Sequence, residues 1–267
     1  MTAAPTPTTV QSLARGLRLL RLFSRERPAL GLADCANLLD LSPPTTYRLL
    51  NTLEGERFLE RDPGTGVYRL AVGVLELLPA LFEGLDVARI ARPPIARLAQ
   101  ATGESANLAT LEEGRVLYLV SAPSDRLLRI ETTPGLRLDA HCTALGKSLL
   151  AQLPDEVARS LLGEQPYRQA TARTLTSWEA VQRELGRIRR RGFALSEGEL
   201  EEGLSSCAVA LPLQGPRPYA INVSSPSSRM SRTVARERLV APLRQAAEEI
   251  AGPMGLLELG GAREARR

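Results

Sequence analysis

With 267 residues, 43% of them hydrophobic and only 4% aromatic, the chain is long enough for two domains with separate cores. It holds nothing close to the roughly 20 apolar residues of a membrane helix, and Met1 to Thr9 is Thr- and Pro-rich without the basic and apolar runs of a secretory signal. A soluble cytoplasmic protein with no membrane partner is expected, and its net charge of +4 and pI of about 9.3 permit contact with nucleic acid. Cys35, Cys142 and Cys207 lie far apart, which gives neither a disulfide framework nor metal spacing. His141 is the only histidine, so no metal site and no cofactor are expected.

The first elements come in quick order. Residues 1–9 read as disordered. Leu13, Leu17, Leu20 and Phe23 recur at helical spacing, and Pro28 and Gly31 punctuate the end of that helix. A short second helix carries Leu32, Cys35, Ala36 and Leu39 on one face. Asp40-Leu41-Ser42 is a turn, with Ser42 as N-cap and Pro43 at the first position of a third helix bearing Tyr47, Leu50 and Leu53. Phe58 to Arg61 and Val67 to Leu70 read as strands around the turn Asp62 to Gly66. Three helices followed by a hairpin make a winged helix-turn-helix over residues 10–70, a unit that presents its third helix to the major groove. Over residues 11–61, eight arginines face six carboxylates, a balance of only +2. Binding must therefore depend on where the arginines point.

Residues 71–92 carry Leu75, Leu78, Leu81, Phe82 and Leu85 at helical spacing, interrupted by Pro79 and Gly84. This segment is expected to be a connector helix whose apolar face packs against a second copy of the chain. Helical spacing resumes from Pro93 to Thr102. Strands are expected at Asn107–Leu111, Arg115–Ser121, Leu127–Glu131, Ala208–Leu213 and Tyr219–Val223. Helices are expected at Ala144–Leu153, Ser177–Arg191 and about Thr233–Ile250. The mixture argues for an α/β domain over residues 93–255, followed by a flexible tail over 256–267.

The runs Ser12 to Leu20, Thr45 to Glu54 and Glu60 to Leu70, together with Arg137-Leu138-Asp139-Ala140-His141-Cys142-Thr143-Ala144-Leu145-Gly146-Lys147, resemble the IclR family of bacterial transcriptional regulators. The resemblance extends to about residue 230. It implies a GAF-like effector-binding domain after the winged helix, assembly as a homodimer or a dimer of dimers, and a role as a repressor or activator of a catabolic operon at a palindromic DNA operator. It places Thr45, Tyr47 and Arg48 where the family contacts DNA. The residues themselves add the hydroxyl and methyl of Thr46, and Arg15, Arg18, Arg61 and Arg69 as phosphate contacts. Two departures stand out. Pro43 and Pro44 replace a basic and a small polar residue, and Asp40 replaces the turn glycine, although Asp tolerates a left-handed backbone.

By the same resemblance Leu127, Ile130, Leu138, Ala144, Leu145, Glu197, Cys207, Asn222 and Ser224 line the effector pocket, and the loop ending at Gly146 offers backbone N–H groups to an anion. Asn222 and Ser224 alternate along a strand and so share a face. Gly192 to Leu204 with Asn222-Val223-Ser224 resembles the family branch that senses protocatechuate and 4-hydroxybenzoate. A small organic acid, first of all an aromatic carboxylate, is the expected effector. The competing class is an enzyme, or a plain small-molecule binder, using the GAF-like pocket. His141 beside Cys142 invites a nucleophile and base, but neighbours on an extended loop point apart; Cys207 with His141 stays open. A ligand-free structural DNA-binding protein is disfavoured by the whole second domain.

Overall fold

The computed structural model describes residues 9–24, 27–77, 86–212 and 217–264, which divide into two compact units, Met1–Gly84 and Leu85–Arg267. The disorder expected for residues 1–9 lies outside the described residues except at Thr9.

The first unit comprises α1 (Gln11–Leu20), α2 (Leu32–Leu39), α3 (Pro43–Gly55) and the antiparallel strands β1 (Leu59–Arg61) and β2 (Tyr68–Leu70). Its core is Leu19, Phe23, Leu30, Cys35, Leu50, Leu59 and Tyr68. Leu30 joins the hairpin by exchanging two backbone hydrogen bonds with Tyr68. Of the expected stripe, Phe23 is buried and Leu20 packs against this core, but Leu13 and Leu17 are 62% and 51% exposed and Leu19 is the buried residue of α1 instead. This leucine-rich segment carries two apolar stripes, and periodicity alone does not choose between them.

Asp40 adopts φ 53° and ψ 50°, the left-handed conformation expected of it, and lets the chain reverse between α2 and α3. Ser42 is extended at the N-cap position of α3, but its hydroxyl bonds that of Thr45 at 2.9 Å instead of a backbone N–H. Pro43 and Pro44 bring no N–H of their own, so part of the usual need for a cap is absent. In the hairpin, Asp62 Oδ1 accepts the Gly64 and Thr65 N–H groups at 2.9 and 2.8 Å. Those bonds, with Thr65 foremost, hold its carboxyl below the ordinary range. Of the connector helix expected over 71–92, the described residues show a 3-10 turn at Val72–Leu77 and, from Asp86, part of the helix Asp86–Thr102. Leu78, Pro79, Leu81, Phe82, Gly84 and Leu85 lie outside the described residues.

The second unit is a six-stranded antiparallel sheet in the order β5-β4-β3-β8-β7-β6, with helices on both faces. α4 (Asp86–Thr102) runs through Pro93 and Pro94, where the sequence restarted it. Its Ala91, Ile95 and Leu98 are buried against the sheet, and that packing offsets the missing backbone bonds. β3 (Ser105–Glu112) and β4 (Arg115–Ala122) form a hairpin whose two turn residues, Glu113 and Gly114, have φ of 51° and 74°. Two positive φ values suit the tight turn of twisted strands.

The strand expected at Leu127–Glu131 does not form. Those residues belong to a loop, and the edge strand β5 is Arg137–Asp139. Pro123 and Pro134 bracket the loop, and β4 spends its edge on β5. α5 (Ala144–Leu150), α6 (Asp155–Leu162) and α7 (Trp178–Arg191) follow, then β6 (Ala194–Glu197), β7 (Leu204–Ala210) and β8 (Tyr219–Pro226). Ser177 caps α7 as expected, its hydroxyl accepting the Ala180 N–H. A helical turn at Arg232–Val234 and a π-helical turn at Ala235–Leu239 lead into α8 (Val240–Glu264). That helix continues past Ile250 into the segment expected to be flexible. Ile250, Ala251 and Met254 are buried and carry the helix onward through Pro253.

One sheet face packs against α4 and α8 through Ala106, Leu108, Cys207, Val209, Ile221 and Val223. The other packs against α5 and α7 through Ala109, Tyr118, Ala194, Ala208 and Ala220. Alternation along each strand decides which residues can share a site.

Candidate functional site

Two regions carry chemistry. In the first unit, α3 buries Thr46 and Leu50 and leaves Pro44, Tyr47, Arg48, Asn51 and Gly55 exposed. Thr46 is fully buried, with its hydroxyl on the Ser42 carbonyl at 3.2 Å, so it cannot reach DNA as the sequence expected. Thr45 is half-buried and bonded to Ser42. Tyr47 remains 45% exposed and Arg48 is exposed, as DNA-facing residues must be. Asn51 is exposed on the same side and was missed, because the helical phase fixes its direction and the residue type alone does not. Arg18, Arg61 and Arg69 are exposed. Arg15 is half-buried and reaches Gln11 at 3.4 Å. Arg61 also lies over the Tyr68 ring at 5.8 Å, which ties the hairpin edge to the core.

In the second unit, strand register assembles a buried polar patch on the α5 face. Asn222 stands opposite Asn107 on β3 and Ala208 on β7, and Asn107 stands opposite Ser121 on β4. The adjoining row runs Ser196, Ser206, Ser224, Ser105 across β6, β7, β8 and β3. Asn107 Nδ2 donates to Asn222 Oδ1 at 3.0 Å, and Asn222 Nδ2 donates to Ser224 Oγ at 2.8 Å. Ser121 and Thr132 hydroxyls donate to Asn107 Oδ1 at 2.7 and 2.6 Å. Thr132 belongs to the loop between β4 and β5, which is pinned elsewhere by Arg229 donating to the Leu128 carbonyl at 2.9 Å and by Arg126 donating to that of Gly103 at 2.9 Å. Asn107 is fully buried and Asn222 nearly so. Such groups persist inside a protein when their bonds are made.

Of the expected pocket residues, Asn222 and Ser224 meet in this patch. Ala144, Leu145 and Leu138 belong to the core beneath the same face. Leu127 is fully exposed on the loop, and Ile130 is half-buried there. Cys207 and Glu197 do not join the patch. Each is one residue out of phase, so Cys207 packs into the α4–α8 core and Ser206 takes the facing position. Glu197 instead pairs with Arg232 at 2.5 Å in a cavity of about 620 Å³ lined also by Arg173, Glu184, Arg191 and Glu199. Glu184 pairs there with Arg191 and Glu199 with Lys147, so every carboxylate has its own cation. Gly146 is also reassigned. Its N–H is taken by the Thr143 hydroxyl at 3.0 Å, and a Cβ there would lie 2.2 Å from the Ala140 carbonyl oxygen. It is a packing glycine, and no anion is held by its N–H. Asn107, Ser121, Ser206 and Thr132 were missed. The alternation in Ser105-Ala106-Asn107-Leu108 was the available signal.

The catalytic alternative finds no geometry. His141 Nε2 lies 2.9 Å from the Arg168 carbonyl, and Cys142 Sγ lies 3.5 Å from that of Asp139. Burial pushes the Cys142 and Cys207 thiols up to about 12, far from the thiolate a nucleophile needs.

Comparison with known proteins matches domains in both units. Residues 12–63 match the IclR helix-turn-helix domain, and residues 80–252 match the bacterial transcriptional regulator IclR C-terminal domain. The Pca regulon regulatory protein of Pseudomonas putida is 32% identical over 246 residues, covering 91% of this chain and 84% of that protein. The crystal structure of an IclR-type transcriptional regulator from Alicyclobacillus acidocaldarius is similar with a TM-score of 0.82 at 28% identity, covering 91% of this chain and 98% of that one. An IclR homolog from Microbacterium hydrocarbonoxydans, solved in complex with 4-hydroxybenzoate, gives a TM-score of 0.77 at 27% identity, covering 90% and 98%. Both relatives of known structure and the curated relative span nearly the whole chain.

Proposed function

The chain belongs to the IclR family of bacterial transcriptional regulators, and on that premise we propose that it controls a catabolic operon in the cytoplasm by binding a palindromic operator as a homodimer or dimer of dimers, in response to a small organic acid. The family's proteins are regulators and not enzymes. The effector is an aromatic carboxylate such as a hydroxybenzoate.

The buried patch around Asn222 carries the effector reading. Ser224 Oγ accepts from Asn222, so its own hydrogen is left for an acceptor oxygen, which a carboxylate supplies. Ser206 stands opposite it on the neighbouring strand and can add a second hydroxyl. Ala144, Leu145 and Leu138 supply apolar surface of the kind a ring requires. The relative holding 4-hydroxybenzoate and the relative named for a Pca regulon support the aromatic class.

Calorimetry with 4-hydroxybenzoate, benzoate and short aliphatic acids tests it on wild type and on Ser224→Ala. Aromatic acids should bind, and the substitution should weaken them by about 1–3 kcal/mol, because a bond inside a closed site is lost. Heat from aliphatic acids alone would refute the aromatic class. Full affinity in Ser224→Ala would move the pocket elsewhere.

A further inference from the structure

We propose that the outward stripe of α3 reads two base pairs of the operator half-site, a guanine through Arg48 and an adenine one or two base steps away through Asn51. The proposal rests on the DNA-binding reading above and adds Asn51 as a specificity-determining residue.

At 3.6 residues per turn, the face of α3 opposite the buried Thr46 and Leu50 is formed by Pro44, Arg48, Asn51, Thr52 and Gly55. All five are exposed. Thr52 spends its hydroxyl hydrogen on the Arg48 carbonyl at 2.9 Å. Among the described residues the side chains of Arg48 and Asn51 have no hydrogen-bond or ion-pair partner, so neither is committed to holding the fold. Pro44 limits one end of the stripe to apolar contact. At the other end Gly55 has open space around its Cβ direction, so no side chain holds the helix away from the groove floor.

Chemistry then assigns the bases. The forked guanidinium of Arg48 matches guanine O6 and N7. The carboxamide of Asn51, one donor beside one acceptor, matches adenine N7 and N6. Three residues advance about 4.5 Å along a helix axis, and base pairs are stacked about 3.4 Å apart. The two bases are therefore adjacent or separated by one pair. Charge points the same way. From Met1 to Gly84 the sequence holds nine arginines and nine carboxylates, a balance of zero. With little net electrostatic pull on the phosphates from this unit, base contacts carry a larger share of binding.

The test is selection of binding sites from random duplex DNA by the full chain, as wild type, Arg48→Ala, Asn51→Ala and Asn51→Asp. Wild type should enrich a half-site with a guanine and a neighbouring adenine. Asn51→Ala should keep the guanine and lose roughly ten-fold or more of the discrimination at the adenine. Asn51→Asp, now acceptor only, should shift that position toward cytosine, whose N4 donates. An exposed position should leave thermal melting unchanged in both Asn51 variants. The proposal is overturned if both variants select the wild-type site unchanged, or if the wild-type site has no adenine within two steps of the guanine that Arg48→Ala relaxes. The DNA-binding reading survives either result. Failure of wild type to enrich any sequence would sink both.

Discussion

Lys147 is enclosed on all sides, and the carboxylate of Glu199 is its only charged partner among the described residues. Burial pushes the Glu199 carboxyl up, with Lys147 opposing that shift in part. The pair bridges α5 to the β6–β7 loop. Lys147→Met alone should destabilise the chain by about 3–5 kcal/mol, because it strands a buried carboxylate. Adding Glu199→Gln should restore much of that loss, since a neutral pair needs no counter-charge. Urea unfolding of the two variants measures the difference, and equal losses would mean the ion pair is not the cause. Thr46 offers a second residue-level check. Thr46→Ser keeps the hydroxyl on the Ser42 carbonyl and never faces DNA, so operator affinity should stay at the wild-type value. Arg48→Ala should cost about 1–3 kcal/mol of specific affinity in the same titration.

Among the elements, α5 is packed closely against the turn before it. The Gly146 Cα faces the Ala140 carbonyl, and Thr143 caps the helix over it. Gly146→Ala should cost about 1–3 kcal/mol through overpacking of backbone against backbone, read as a lowered melting temperature. Normal melting would show that the turn at Ala140–Cys142 yields. The sequence made α1, α2, α3, the hairpin, the capped α7 and the β3–β4 turn legible, because each has its own caps, breakers or left-handed residue. It misplaced β5, because Leu127 to Glu131 alternates as a strand should, yet only the edge of β4 decides which segment pairs. β6 and α6 went unread: one is four residues long, and the other carries its one buried side chain, Ala158, too briefly to set a period. In the site, Asn222 and Ser224 were legible by alternation. Cys207 and Glu197 were not, because a one-residue error on a strand moves a side chain to the other face. Alternation with Ala106 and Leu108 gives Asn107 its face, but its place opposite Asn222 needs the register of β3 and β8, which no local pattern contains.

For the whole molecule, the neutral first unit and the exposed apolar residues have separate consequences. Val10 just before α1, Leu13 and Leu17 on it, and Val72, Leu75 and Leu77 after the hairpin are exposed large hydrophobic residues. The proposed homodimer would have these residues to bury. A Leu13→Asp/Leu17→Asp variant should shift the dimer toward monomer in light scattering, while the melting of the second unit is unchanged. A wild-type monomer at micromolar concentration would refute the assembly. Because arginines and carboxylates balance in the DNA-binding unit, operator affinity should fall less steeply with salt than for a strongly basic domain. Arg61→Ala or Arg69→Ala should each lower the slope of log affinity against log salt by about 1 if it neutralises one phosphate. An unchanged slope removes that arginine from the backbone contacts.

The prolines that open α3 carry a further consequence. Helix starts commonly present unspent N–H groups to an anion. Here Pro43 and Pro44 have none, and those of Thr45 and Thr46 both point back to the Ser42 carbonyl at 3.0 Å. The tip of this helix therefore has no unspent N–H to offer a phosphate. The helix must address the duplex with its flank, and the anchoring that a bare helix tip usually supplies is left to side chains elsewhere in the unit.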